Sequence, residues 1–456
     1  MPRLLIISPH FPPINAPDMQ RVRMSLPHFV DAGWEVVVLT VDDREPLAPL
    51  ESDLLLTVPA AVRVVRVHAF SRRWTRWLGM NNLGLRTMPF IYAKACQLLR
   101  DEHFDLVYFS MTQFILMPLG RAWLYEFGVP YVIDLQDPWL NEYYSQPGAP
   151  RPPGGWKYLF TYATAKLLEG WTLRRAAHVL SVSDQYLQAL ARRYSWWTPE
   201  HGSVLTFGAP DADLGLARKK AIEQPPLLPT SPSLKIAYAG RLGPDMLPAL
   251  DTLFAALARS KCTPRPFEIF FYGTSYAPAG QAESTTTLLA IKHGITHLVH
   301  EHPARIGYID SLRLILEADL ALLLGSEDKA YSPSKIYPTL FSGKPALAIA
   351  PANSMLQRKI EELGGAEMVL FNSAVEGDSS AIGQLSAALA RFAATPTAPF
   401  GLPLREDILL RDYTSGAISA RQLQLFNTIM RTHRPDLTTL SIEEYWPEFV
   451  QPSDPR

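Results

Sequence analysis

The sequence predicts an α/β protein built from two consecutive, doubly wound parallel sheets, and three observations carry that expectation. Short unbroken apolar runs recur, from RLLIIS at residues 3–8 to LALLL at residues 320–324. Unbroken rather than alternating, they read as strands covered on both faces. Segments of helical period separate them, which makes each strand pair a βαβ unit. A stretch rich in Pro, Ala and Asp, residues 208–233, divides the series in two. The expected layout is a Rossmann-like domain over 1–208, a linker over 209–233, a second Rossmann-like domain over 234–403, and a C-terminal helix with a loosely packed tail over 404–456.

The first half starts with the strand at 3–8, a proline-rich loop (PHFPPINAPDMQR), a helix from about Met19 to Ala32 stopped by Gly33, and the strand EVVVLT at 35–40. No GxGxxG follows the first strand, so the loop is expected to line an acceptor pocket rather than hold a dinucleotide. Val62 to Val67 is a further strand. DLVYFS (105–110) and YVIDL (131–135) flank a helix over Gln113 to Phe127. Asp134 and Asp137 then sit at a strand's carboxyl end, where open α/β sheets keep their chemistry. Asp137, just before Pro138, can equally cap a turn. A helix from about Trp156 to Arg175, the strand VLSVS (179–183) and a helix opened by Ser183 or Asp184 complete this half. His10 lies in the first loop, where a lone histidine is more often solvated or structural than catalytic.

Between Arg63 and Arg100 there is no acidic residue, and FSRRWTRWLGM interleaves arginine with tryptophan. Two readings stay open. Arg72, Arg73, Trp74, Arg76 and Trp77 suit an anionic membrane surface, because indoles settle at the interface and guanidinium groups meet phosphates. Alternatively, the segment is a solvated basic surface whose tryptophans turn inward.

In the second half, strands at 236–239, 267–272, 320–324 and 346–349 alternate with helices near 247–259, 284–293, 309–318 and 334–341, and a late helix spans about Thr414 to Thr432. YSPSKIYPTLFSGKP (331–345) is its chemical centre. Ser332 or Ser334 is the expected cap of a helix that Gly343 ends. Pro338 is tolerable only if that helix starts at Ser334 or later. A helix start after a parallel strand leaves N–H groups unpaired, and Lys335 adds a full positive charge. AYAGR ends another strand at Arg241, so Arg241 and Lys335 are expected to grip one diphosphate.

Composition excludes several classes. With 456 residues, 47% hydrophobic and 19% charged, the chain is expected to form two or three globular domains. A formal net charge of −1 gives no nucleic-acid signature. The two cysteines, Cys96 and Cys262, lie far apart and predict neither a disulfide framework nor a metal site. The first apolar run is too short for a signal-peptide core and no run is long enough to span a membrane, so a cytoplasmic protein is expected.

The order of these motifs resembles GT-B glycosyltransferases, particularly the family-4 (group 1) retaining type. The likeness is carried by the opening strand and loop with Arg21, VPYVIDLQDPW, HVLSVSDQYLQAL, AYAGRL, GYIDSLRLILEADLALLL and SPSKIYPTLFSGKP. The resemblance implies two Rossmann-like domains facing a central cleft, and transfer of a sugar from a nucleotide-sugar co-substrate, without a metal or other cofactor. The acceptor is then a glycan, a lipid-linked or a small molecule, in cell-surface polysaccharide or glycolipid synthesis. By residue, it implies Arg241, Lys335, Ser334 and Ser332 at the donor diphosphate, and Arg305 and Gly307 in the loop on the base side. It places Asn15, Arg21 and His10 on the acceptor side, with Asp137 or Asp134 handling the acceptor hydroxyl. The chain departs from the family pattern at Pro338, where a Glu is usual, and after Arg241, where Gly243, Pro244, Asp245 and Met246 stand in place of a second basic residue. These departures keep open an alternative, a catalytically degenerate GT-B protein that binds nucleotide-sugars or glycans as an assembly partner. An epimerase on the same fold lacks a convincing set of acid/base residues.

Overall fold

The computed structural model describes residues 1–46, 48–75, 82–140, 156–259, 264–275, 283–328, 333–372 and 377–433. Ser332, Arg76, Trp77, Cys262 and the tail after residue 433 lie outside them. The chain forms two compact units, one of residues 1–207 with the segment from 415 onward, the other of residues 208–414.

Unit 1 holds seven parallel strands: β1 (Arg3–Ile7), β2 (Glu35–Val41), β3 (Arg63–Val67), β4 (Leu106–Ser110), β5 (Tyr131–Leu135), β6 (His178–Ser181) and β7 (Gly202–Val204). Their order is β3-β2-β1-β4-β5-β6-β7. The direction of winding reverses between β1 and β4, which makes the carboxyl ends of those two strands the natural ligand crevice. The strands alternate sides with a period of two. Leu5 and Ile7 join one core with Val107, Phe109 and Trp123. Leu4 and Ile6 join the other with Phe29, Tyr108 and Phe426.

Phe426 lies in the late helix, Ser415–His433, which packs on Gln20–Asp31 and so returns the chain to unit 1. Ser25 Oγ donates to Gln422 Oε1 at 2.8 Å, and Gln422 Nε2 donates to the Tyr108 hydroxyl at 2.9 Å. Phe426 also makes edge contacts with Phe29 and Tyr108. The C-terminal helix is thus a built-in part of the first core.

Unit 2 holds six parallel strands: β8 (Leu234–Ala239), β9 (Phe267–Tyr272), β10 (Val299–His302), β11 (Leu320–Leu324), β12 (Ala346–Pro351) and β13 (Glu367–Phe371). The order β10-β9-β8-β11-β12-β13 places its switch point between β8 and β11. β11 and β12 are buried along their whole length, as their apolar runs require.

The segment read as a linker is largely structured. A helix, Asp211–Glu223, packs against the helix Tyr308–Glu317. Buried Arg313 donates to Gln224 Oε1 and to the carbonyl of Pro225, and Glu317 accepts from the Leu227 and Leu228 amides. Its prolines are anchored to unit 2 rather than left as a tether.

Candidate active site

On unit 2, three loops follow the strand ends around the switch point. Gly240, with φ at 133°, ends β8, and a Cβ there would come within 2.1 Å of Lys335 Cε. Glycine at this position lets the lysine chain cross the backbone. Lys335 Nζ donates to the Tyr238 hydroxyl at 3.0 Å, and that hydroxyl donates to the Arg241 carbonyl at 2.7 Å. Lys335 and the Arg241 backbone are therefore linked through Tyr238 at one strand end.

Arg241 is held elsewhere by its side chain. Its two Nη atoms bond the Asp245 carboxylate at 2.9 and 3.0 Å, and Ser326 Oγ donates to the same carboxylate at 2.6 Å. Burial opposes ionisation of Asp245, but the hydrogen bonds from Arg241 and Ser326 outweigh it and hold the carboxyl below its ordinary value. Gly243 leaves room for this pair, since a Cβ would fall 1.8 Å from Arg241 Nη1.

The helix after Lys335 is Ile336–Ser342, seven residues long, which meets the condition set by Pro338 but corrects the expected cap at Ser334. Lys335 is its N-cap residue, with no side-chain cap; Ser334 is exposed in the preceding turn, and the Ile336 amide bonds the Pro333 carbonyl at 3.1 Å. Pro338 is the third helical residue, where the missing N–H has no intrahelical acceptor to lose, and the first helical bond runs from Thr339 to Lys335. So short a helix has little dipole, and the charge of Lys335 dominates. Arg305 backs onto Gly273 beyond β9, and Gly307 is the N-cap residue of Tyr308–Glu317, so both predicted base-side residues share this carboxyl edge.

On unit 1 the predicted residues separate. Asp134 is fully buried, 2.8 Å from Arg21 Nε, and accepts from Ser110 Oγ at 2.7 Å and the Tyr108 hydroxyl at 3.2 Å. Arg21 also donates to the carbonyls of Leu205 and Thr206. Neither group reaches solvent, so the catalytic role expected for Asp134 and the acceptor role expected for Arg21 are corrected. The pair fastens β5 to the chain leaving β7. Asn15 is likewise buried and donates to Glu51 at 2.8 Å, which spends its amide within the fold.

His10 and Asp137 remain, joined by a residue the sequence reading passed over. Asp18, buried, meets His10 Nδ1 at 2.9 Å and accepts from the Thr112 amide and hydroxyl at 3.2 and 2.9 Å. His10 follows β1 and Thr112 follows β4, which puts the cluster at the switch point. Burial opposes ionisation of Asp18, yet His10 and Thr112 prevail and lower its pKa. A carboxylate only accepts, so Nδ1 carries the proton, and in the neutral imidazole Nε2 is then the accepting nitrogen. Asp137 is exposed on one side, but the protein around it strips solvation and Asp18 adds negative charge, raising its pKa to about 6. The missed signal was an aspartate eight residues after a histidine in one strand-end loop.

Trp74 is 78% exposed beside exposed Arg73 and half-buried Arg72, so this tryptophan does not turn inward. Among the described residues there is no cluster suited to a metal ion, and no helix is long and apolar enough to cross a membrane.

Residues 20–208 match a family model described as Glycosyl transferase 4-like domain. A comparison with curated proteins finds no match. Among solved structures, a sucrose-phosphate synthase from Thermosynechococcus elongatus is similar, with a TM-score of 0.61 at 16% identity over 95% of this chain and 100% of that one. A UDP-forming α,α-trehalose-phosphate synthase from Burkholderia xenovorans gives 0.60 at 13% identity, covering 94% and 99%. Anabaena HepE in complex with UDP-glucose gives 0.53 at 15% identity, covering 94% and 98%. At these identities the structures show a common fold, and the domain match falls on unit 1. The chain thus has the two-sheet fold of these structures, with a match to a glycosyl transferase 4-like domain over residues 20–208, on its first unit.

Proposed function

We propose that the protein transfers a sugar from a nucleoside diphosphate sugar, held by the edge of unit 2, to a hydroxyl of a glycan or lipid-linked acceptor held by unit 1. The observation that carries this reading is the placement of Lys335 over Gly240 and of the Arg241 guanidinium over Gly243, both just past the β8 carboxyl end. Two cations at one strand end neutralise the charge that grows on the diphosphate as the bond from the anomeric carbon to phosphate breaks. The new bond forms from the acceptor oxygen to that carbon. Its proton passes to Nε2 of His10, whose Nδ1–H is steadied by Asp18. Asp137, with a pKa of about 6, is the second acceptor of that proton. Retention of configuration goes with the family resemblance, and the anomeric coupling constant of the product reads it. Cell-surface polysaccharide or glycolipid synthesis is the pathway class, and exposed Trp74 with Arg73 is one surface open to an anionic membrane.

The test is calorimetry with UDP, GDP, ADP and their sugar conjugates, starting from UDP-sugars because HepE is seen with UDP-glucose. One nucleotide binds, and Lys335→Ala weakens it by about 1.5–3 kcal/mol, the worth of one charge-assisted contact. Unchanged binding in that variant removes the donor assignment. One observation favours a second reading: the bidentate grip of Asp245 on Arg241 competes with a diphosphate, as a binding protein without turnover would tolerate. Tight nucleotide binding with neither transfer nor hydrolysis selects that reading.

A further inference from the structure

The helix Trp156–Leu173 is apolar on two sides, and the fold uses only one. Ala165 and Leu173 pack into the unit 1 core, with Tyr162 and Leu168 partly buried against it. Glu169, the only carboxylate in the helix, also turns inward, where it accepts from the Leu140 amide and the Tyr194 hydroxyl. The other side carries Leu159 (65% exposed), Phe160 (57%), Ala163, Leu167 (73%) and Trp171. At 3.6 residues per turn these fall on one outward face. A helix with apolar residues all round is ordinarily covered all round.

Beside this face, a groove of about 700 Å³ is lined by Arg121, Lys166, Arg174 and Arg175 with Trp171 and Trp196, and its described lining holds no carboxylate. The Arg121 guanidinium lies 4.2 Å from the centre of the Trp171 ring and donates to the Tyr125 hydroxyl at 3.1 Å. That hydrogen bond, with Arg175 beside it, lowers the pKa of the Tyr125 phenol. A second copy of the chain fits poorly, because two such faces set like charges against each other.

We propose that this face lies on an anionic lipid bilayer, with Phe160, Leu167 and Trp171 in the headgroup boundary and the four cations against lipid phosphates. Arg174 and Arg175 precede β6 and Trp196 precedes β7, so the groove belongs to the amino ends of the strands. His10 and Asp137 follow carboxyl ends. The surface is therefore separate from the candidate active site, and the inference stands whichever sugar is transferred.

Co-sedimentation of the full chain with vesicles of phosphatidylcholine, alone or with roughly 30% phosphatidylglycerol, tests it. The expected result is binding to the anionic vesicles only. Phe160→Ser/Leu167→Ser and, separately, Arg174→Glu/Arg175→Glu each lower that affinity about tenfold or more. All four side chains are exposed, so unfolding midpoints stay at the wild-type value, and Arg73→Glu/Trp74→Ser weakens binding less. Wild-type affinity in both double variants overturns the proposal, as does equal binding to neutral vesicles or a loss confined to Arg73→Glu/Trp74→Ser. A homodimer that Leu167→Ser dissolves also overturns it, by assigning the face to a second copy.

Discussion

The two units place their switch points alike and furnish them in opposite ways. In unit 1 the charges at the strand ends are turned on one another, Arg21 on Asp134 and His10 on Asp18, and most of them are buried. In unit 2 the strand end is cleared by Gly240 and Gly243, and two cations stand over the clearing. One edge is filled by its own network and keeps a histidine and a carboxyl at its surface. The other keeps Lys335 and Arg241 over its two glycines. The same topology thus yields one edge crowded by buried charge pairs and another opened by two glycines.

The largest effect comes from breaking the filled network. Asp134→Ala leaves the Arg21 charge buried without its partner, and chemical denaturation should show a loss of about 3–5 kcal/mol. Arg21→Met/Asp134→Leu should recover part of it, since removing both charges also removes their desolvation cost. Next, His10→Gln should lower the turnover number about a hundredfold with little change in donor affinity. Equal loss of donor binding would move His10 out of the acceptor edge.

The comparison sharpens at Asp245, which pairs a cation of the unit 2 switch point within the fold. Asp245→Asn loosens Arg241 and should tighten nucleotide binding about fivefold at low salt, roughly 1 kcal/mol, as calorimetry would read it. Weaker binding would show instead that Asp245 positions Arg241 for the ligand. The smallest effect belongs to Asp137, whose pKa of about 6 lies above the ordinary 3.8. Between those values the unfolded chain releases the proton first, so the native state loses stability as pH rises through the window. Asp137→Asn should therefore stabilise the protein slightly at pH 7, and the gain should fade as pH falls from 6 toward 4. Thermal unfolding at the two ends of that range reads it.

What the sequence made legible follows the same division. Strands such as LALLL at 320–324 and their following loops are local facts, and Lys335 and Arg241 come together simply because β8 and β11 are neighbours. Pairings across long separations are not local. Nothing near Asp134 announces that Arg21 will consume it, and nothing near Asn15 announces Glu51. The helix Asp211–Glu223 hid among prolines with little separation of apolar and polar faces. The edge strand Val299–His302, reading VHEH, lacks the apolar run that marks central strands. Asp18 escaped notice because its partner Thr112 lies 94 residues away.

The return of Ser415–His433 to the first unit has a consequence for the birth of the molecule. A nascent chain carrying only the first 207 residues presents Phe29, Trp34 and Tyr108 without the Phe426 ring they pack against. More than two hundred further residues must leave the ribosome before that ring arrives, a wait on the order of ten to forty seconds at ordinary synthesis rates. The second unit, continuous in sequence, can close before the first is complete. Premature termination near residue 414 would then strand an unfinished N-terminal core beside a finished C-terminal one, a natural substrate for chaperones and proteases.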